Sequence, residues 1–205
     1  MTHGSLTVQN MSPACGGIVD GVNLSGELRN RQFDEIHDAL LDRTVLISRD
    51  QDLTEDQQVA VSRRFGDPQP SQISGFEKDD ARPEIDLLEY DADNPPHTTL
   101  DLWHTDFAGR ERPTMGTTLY AKDIPPEGGD TIWVNAAAAY ESLSSRLKAH
   151  LDELHAYHEN YQPNDAHVRP ELWDKEYFDD SKRMREEYSP ALHPVVRTHP
   201  VTGRK

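Results

Sequence analysis

The sequence predicts a mixed α+β fold, a jelly-roll core of short strands (a double-stranded β-helix) with helices flanking it. Three observations carry this. Two segments in the first third of the chain have helical spacing, one from about Arg29 to Asp42 and one opening at Thr54. Short runs of strand character then recur between about residues 85 and 135. A third helical segment follows from about Ala137. A few helices around many short strands suit a jelly-roll barrel.

In order along the chain, Phe33, Ile36, Leu40 and Leu41 form the apolar stripe of an amphipathic helix over 29–42. Thr44-Val45-Leu46-Ile47-Ser48 is rich in β-branched residues, and a short buried strand is expected there. Thr54 and Gln57 have the spacing of a capping box, which opens a second helix that Gly66 closes. Strands are expected near Ile85–Tyr90, Leu102–Phe107, Gly116–Ala121 and Thr131–Asn135. Gly128-Gly129 predicts a tight turn with unusual backbone angles ahead of the last of these. Tyr140, Leu143, Leu147, Leu151 and Leu154 recur at helical spacing, predicting one helix over 137–154. From Gln162 to Pro190 the texture changes, with 13 of 29 residues charged and prolines at 163, 170 and 190. This segment reads as a solvated insertion, or as a lid with Trp173, Tyr177 and Phe178 on its apolar face.

Composition narrows the function classes. The 205 residues suffice for one domain with a real core, and residues 1–205 are expected to form a single domain. A net charge of −16 and a pI near 4.9 oppose binding to nucleic acid or an anionic membrane. No apolar run approaches the roughly 20 residues that span a bilayer. Met1 to Asn10 lacks the basic and apolar regions of a signal peptide. Cys15 is the single cysteine, so no internal disulfide can form, and a reducing cytoplasm is the expected compartment.

Two His-any-Asp pairs stand out, His104-Thr105-Asp106 and His150-Leu151-Asp152. With 10 His and 22 Asp, about one such pair arises by chance, so the spacing alone decides nothing. Local structure separates the two. On a strand, residues i and i+2 share a side and can reach one ion, whereas on a helix they diverge by roughly 200°. His150 and Asp152 fall in the helical segment and read as surface residues. His104 and Asp106 fall where apolar and polar residues largely alternate, so they are the pair that can chelate. An imidazole, a carboxylate and a second imidazole from elsewhere cap one face of an octahedral iron, leaving the opposite face open. The bland alternative is a strand-end His hydrogen-bonded to a nearby Asp. Trp103 is expected to pack as core beside the pair.

Four stretches in order carry a resemblance. They are Trp103-His104-Thr105-Asp106; Leu119 to Pro126; Gly128-Gly129-Asp130-Thr131-Ile132-Trp133; and Ala139-Tyr140-Glu141-Ser142-Leu143. With them the chain resembles the taurine/2,4-dichlorophenoxyacetate dioxygenase (TauD/TfdA) family of Fe(II)/2-oxoglutarate-dependent dioxygenases, whose core is a cupin-like jelly roll. His193 to Lys205 resembles a later signature of that family, and weaker similarity reaches back to 50–54 and to Phe65-Gly66. The resemblance implies that His104 and Asp106 are two of three iron ligands. It implies that Thr131 hydrogen-bonds the carboxylate of 2-oxoglutarate, a role a hydroxyl can fill without adding charge. Without the resemblance, Thr131 reads as a β-branched strand residue beside Trp133. The implied reaction hydroxylates a small organic acid with O2 and releases succinate and CO2; a homo-oligomer is also implied.

The departures from the family pattern shape further expectations. Its distal His ligand and its 2-oxoglutarate-gripping Arg lie beyond the last signature, so the chain is expected to be an N-terminal part with a C-terminally incomplete fold. The alternative expectation is a non-catalytic truncated remnant. Metal-assisted hydrolysis at a zinc site is weaker still, because no candidate general base accompanies the pair. Leu100 stands where taurine enzymes have Asn, and the segment after Gly66 lacks their His and Tyr. A site that loses such hydrogen-bonding groups rejects the small zwitterion they serve. A sulfonate other than taurine, a sulfate ester or an aryloxyalkanoate is therefore the expected substrate, with Leu100 and Phe107 as candidate pocket residues.

Overall fold

Alternation in Leu6-Thr7-Val8 sets the first layer. The structure is a computed structural model that describes residues 2–3, 6–70, 77–78, 82–91, 103–158 and 190–205. Strand β1 (Thr2–His3) pairs antiparallel with β2 (Leu6–Asn10), and β2 pairs antiparallel with β3 (Gly17–Asp20) in a register that puts Val8 opposite Val19. Helix α1 (Asn30–Arg43) returns the chain so that β4 (Leu46–Ile47) joins β3 in parallel. Leu6, Val8 and Val19 turn to one face and meet Ile36 and Ala39 of the helix. Val22, Leu24, Leu28, Leu46 and Phe65 pack around this core. Gly17 is required in the layer: a Cβ there would sit 2.9 Å from Val8 Cγ1.

Arg43 ends α1 on its buried face, where its guanidinium donates to the carbonyls of Ser12 at 2.6 Å and Gly16 at 3.3 Å. These bonds satisfy the charged group that burial would otherwise penalise. Thr44 closes the helix in the left-handed region at φ 64°, and its N–H donates to Leu40 O. Helix α2 (Glu55–Arg63) carries the expected capping box, with the Thr54 hydroxyl accepting from Gln57 N and the Gln57 side chain accepting from Thr54 N.

The chain divides into two compact units. One comprises residues 1–66, 118–153 and 196–205; the other comprises 67–117 and 154–195. The first holds the layer above together with α3 (Ala136–Glu141) and α4 (Ser145–Leu151). The second holds two antiparallel ribbons, β5 (Glu77–Lys78) with β6 (Asp86–Leu87), and β7 (His155–His158) with β8 (Ala191–Pro194). Strands and helices coexist, in keeping with a mixed α+β class. No described helix is long and apolar enough to cross a membrane.

Several expectations need correction. The single helix over 137–154 is two, because Ser144 accepts from Leu147 N and caps a new start, while Ser142 Oγ donates back to Ala139 O. Serines at that spacing compete with the helix for its own backbone groups. Residues 103–107, 116–121 and 131–135 are not strands. β-Branched content favours extended chain, but a strand also needs a ladder partner, and none pairs with these segments among the described residues. Residue 102 and most of the charged segment 162–190, Pro190 excepted, lie outside the described residues.

Candidate metal centre

The His-any-Asp pair lies in the second unit, where a turn and not a strand brings its side chains together. Trp103-His104-Thr105 runs into a turn over 106–109, and Arg110 N donates to Phe107 O at 3.0 Å to close it. Phe107 takes φ 52°, an uncommon angle for a bulky side chain. The Arg110 guanidinium lies 4.0 Å from its ring centroid, a cation–π contact that helps hold the residue there.

His104 Nε2 and Asp106 Oδ1 come within 3.4 Å of each other, with both side chains about half exposed. Two ligands each about 2.1 Å from one ion stand about 3.0 Å apart at octahedral angles and about 3.4 Å apart at tetrahedral ones. The observed separation equals the tetrahedral spacing and exceeds the octahedral one by about 0.4 Å, so a small side-chain movement would bring the pair onto an octahedral ion, and its imidazole–carboxylate chemistry suits ferrous iron. The other carboxylate oxygen, Asp106 Oδ2, accepts a short hydrogen bond from Thr117 Oγ1. Sequence reading missed Thr117, since an 11-residue separation across an irregular loop has no periodic signature. Among the described residues no cluster of three or more His, Cys, Asp or Glu side chains forms.

Two histidines near the end of the chain are engaged in other contacts. His193 is buried on β8, and its Nε2 lies 2.9 Å from Arg110 O. A carbonyl only accepts, so that nitrogen must carry the proton, and it anchors the turn beyond Phe107. Its ring packs edge-on against His158 at 5.4 Å. His199 Nδ1 accepts from Val201 N and Thr202 N and shapes a turn.

Helix α4 and its C-terminus separate the second His-any-Asp pair as expected. His150 is exposed on α4, while Asp152 accepts from Tyr140 Oη at 2.9 Å and Lys205 Nζ at 2.6 Å. The hydrogen bond from Lys205, and then that from Tyr140, hold the Asp152 carboxyl below its ordinary range, and the same pairing raises Lys205.

Thr131 belongs to the first unit and is exposed. Gly128 and Gly129 precede it with φ of 82° and 68°, the left-handed turn that the Gly-Gly pair predicted. Beyond it, buried Asn135 accepts from Ala138 N to cap α3 and donates through Nδ2 to Ala14 O at 2.8 Å. Upstream, Tyr120 Oη accepts from Leu53 N and donates to Gln51 O, both at 3.2 Å. Trp103, expected as core, is 71% exposed, since its irregular segment forms no sheet face on which to pack. Phe107 is half-buried, and Leu100 lies outside the described residues.

Comparison with known proteins gives a consistent picture. The family model described as taurine catabolism dioxygenase TauD, TfdA family matches residues 7–205. An alkylsulfatase from Acinetobacter baylyi is 32% identical over 98% of this chain and 61% of its own length. An alpha-ketoglutarate-dependent 2,4-dichlorophenoxyacetate dioxygenase from Burkholderia sp. is 30% identical over 98% of this chain and 69% of its own. The crystal structure of a taurine dioxygenase from Burkholderia xenovorans superposes with a TM-score of 0.69 at 31% identity, covering 98% of this chain and 61% of that one. The chain spans between 49% and 69% of the length of three curated relatives it matches.

Proposed function

The chain belongs to the TauD, TfdA dioxygenase family, and from that premise we propose that it supplies two iron ligands and a 2-oxoglutarate contact to a dioxygenase acting on a small organic acid. The carrying observation is the 3.4 Å approach of His104 Nε2 to Asp106 Oδ1 where the chain enters the turn over 106–109. Ferrous iron held there would supply activation of O2 coupled to decarboxylation of 2-oxoglutarate, yielding succinate, CO2 and a hydroxylated substrate.

In this reading His104 offers neutral Nε2, and Asp106 offers one carboxylate oxygen. Thr131 donates its hydroxyl to a carboxylate of 2-oxoglutarate, and the Gly128-Gly129 turn sets where that hydroxyl stands. Phe107 contributes the edge of its ring to the substrate pocket, its face being covered by Arg110; Leu100, outside the described residues, is assigned to the substrate pocket from the family pattern alone. The jelly roll belongs to this reading through family membership, as does a single catalytic domain over 1–205, since the family match runs through both units. A sulfonate, sulfate ester or aryloxyalkanoate substrate is supported by relatives named as a sulfonate dioxygenase, an alkylsulfatase and a 2,4-dichlorophenoxyacetate dioxygenase, together with the absence of the taurine pattern at Leu100.

The test is succinate formation from 2-oxoglutarate under Fe(II) and O2, in the whole protein that contains this chain. His104→Ala and Asp106→Ala are each expected to reduce it to background. Wild-type turnover in either variant would sink the metal assignment.

A further inference from the structure

Asp106 presents its two oxygens to different partners. Oδ1 stands 3.4 Å from His104 Nε2, on the side where a shared ion would lie. Oδ2 is held by the Thr117 hydroxyl, eleven residues along the chain and in the same unit. A carboxylate that is free to rotate can bind a metal through one oxygen or through both. Binding through both takes two positions of an octahedral ion, and a site that must also seat a chelating oxoacid and O2 has none to spare. A donor fixed on Oδ2 opposes that mode and holds Oδ1 forward. It also spares the carboxylate the entropy cost of freezing its rotation when the ion arrives.

We propose that Thr117 is a positioning residue that commits Asp106 to one-oxygen coordination through Oδ1. The proposal rests on the reading of His104 and Asp106 as metal ligands, and it assigns a task to a side chain outside the motif. Thr117 is exposed and is not itself a ligand. Its methyl group is dispensable in this role and its hydroxyl is not, since only the O–H can donate to Oδ2.

The experiment is a titration of the whole protein with Mn(II) alone, read by the loss of the free-ion paramagnetic resonance signal. Thr117→Val keeps the shape and removes the donor; Thr117→Ser keeps the donor and removes the methyl. Thr117→Val is expected to weaken Mn(II) binding by about 10- to 100-fold, as loss of a hydrogen-bond partner behind a metal ligand does. Thr117→Ser is expected to stay within about threefold of wild type, because the donor that orients the ligand is retained. Thermal unfolding of both variants checks that the fold is kept. Thr117→Val binding as tightly as wild type, while His104→Ala does not bind, would overturn the positioning role and leave the metal reading intact. A Ser variant as weak as the Val variant would overturn it too, since the loss would then not follow the hydroxyl. Wild-type protein that does not bind Mn(II), or a His104→Ala variant that binds unchanged, would instead overturn the metal site on which the proposal stands.

Discussion

The layer built by residues 6–47 and the stretch 118–134 belong to the same unit and have similar shares of apolar side chains, yet their fates differ. In the layer, Leu6 and Ala39 are 1% exposed and Val19 is 3% exposed. In the later stretch, Leu119, Ile124, Ile132 and Val134 are all more than 60% exposed. The layer closes on itself, because α1 supplies a second face within 25 residues of the sheet it covers. The later stretch is instead pinned by polar contacts: Tyr120 to the backbone of Gln51 and Leu53, Lys122 to Glu55 at 3.7 Å, and, at the residue just after it, Asn135 to Ala14. Burial is therefore set by whether a covering layer exists, and the motif-bearing segment is positioned by hydrogen bonds more than by packing.

The sharpest way to break this contrast is to truncate one side chain on each side of it. Leu6→Ala is expected to cost about 2–5 kcal/mol, the range for emptying a packed leucine site. Ile132→Ala is expected to stay within about 0.5 kcal/mol, as exposed substitutions do. Equal losses in urea unfolding would erase the distinction.

A smaller effect tests the pinning. Asn135→Ala removes a helix cap and a buried donor to Ala14 O together, for an expected loss of about 1–3 kcal/mol. Hydrogen exchange should then rise in α3 and around residue 14, leaving the β2–β3 ladder protected. Exchange that rises equally throughout would mean that the stretch and the layer are not separable.

The smallest expected effect is electrostatic. Asp152 has a folded-state pKa below its ordinary value of 3.8, chiefly through Lys205 and next through Tyr140. A depressed carboxyl contributes stability above the unfolded value, and that contribution is lost as pH falls through the folded one. Asp152→Asn should therefore melt slightly below wild type at neutral pH, with the two curves converging as pH drops below about 4. A gap that widens on acidification would contradict the assigned pairing.

Local signals in the sequence were legible where the chain decides its own conformation. The stripe of Phe33, Ile36 and Leu40 placed α1 within one residue at each end, and Thr54 with Gln57 announced a capping box that forms. Gly128-Gly129 announced its turn. The strands expected at 116–121 and 131–135 do not form, because β-branched content is a preference for extended chain and a ladder needs a partner that composition does not name. The sheet of β2 and β3 escaped notice for a related reason: five- and four-residue strands carry too few alternations to stand out. At the candidate site, His104 and Asp106 were found by residue type and spacing, though the physical route differs, a turn at Phe107 replacing strand alternation. Thr117 could not be found, since its partner is fixed only by the path of the loop between them.

The bond between Asn135 and Ala14 spans 121 residues. At ribosomal rates of about 5–20 residues per second, Ala14 emerges about 6–24 s before Asn135 exists to meet it. The hairpin that carries Ala14, and the helix that covers it, have ample time to assemble first. The docking of the motif-bearing stretch is then templated by a surface already in place, and the order of synthesis becomes the order of construction.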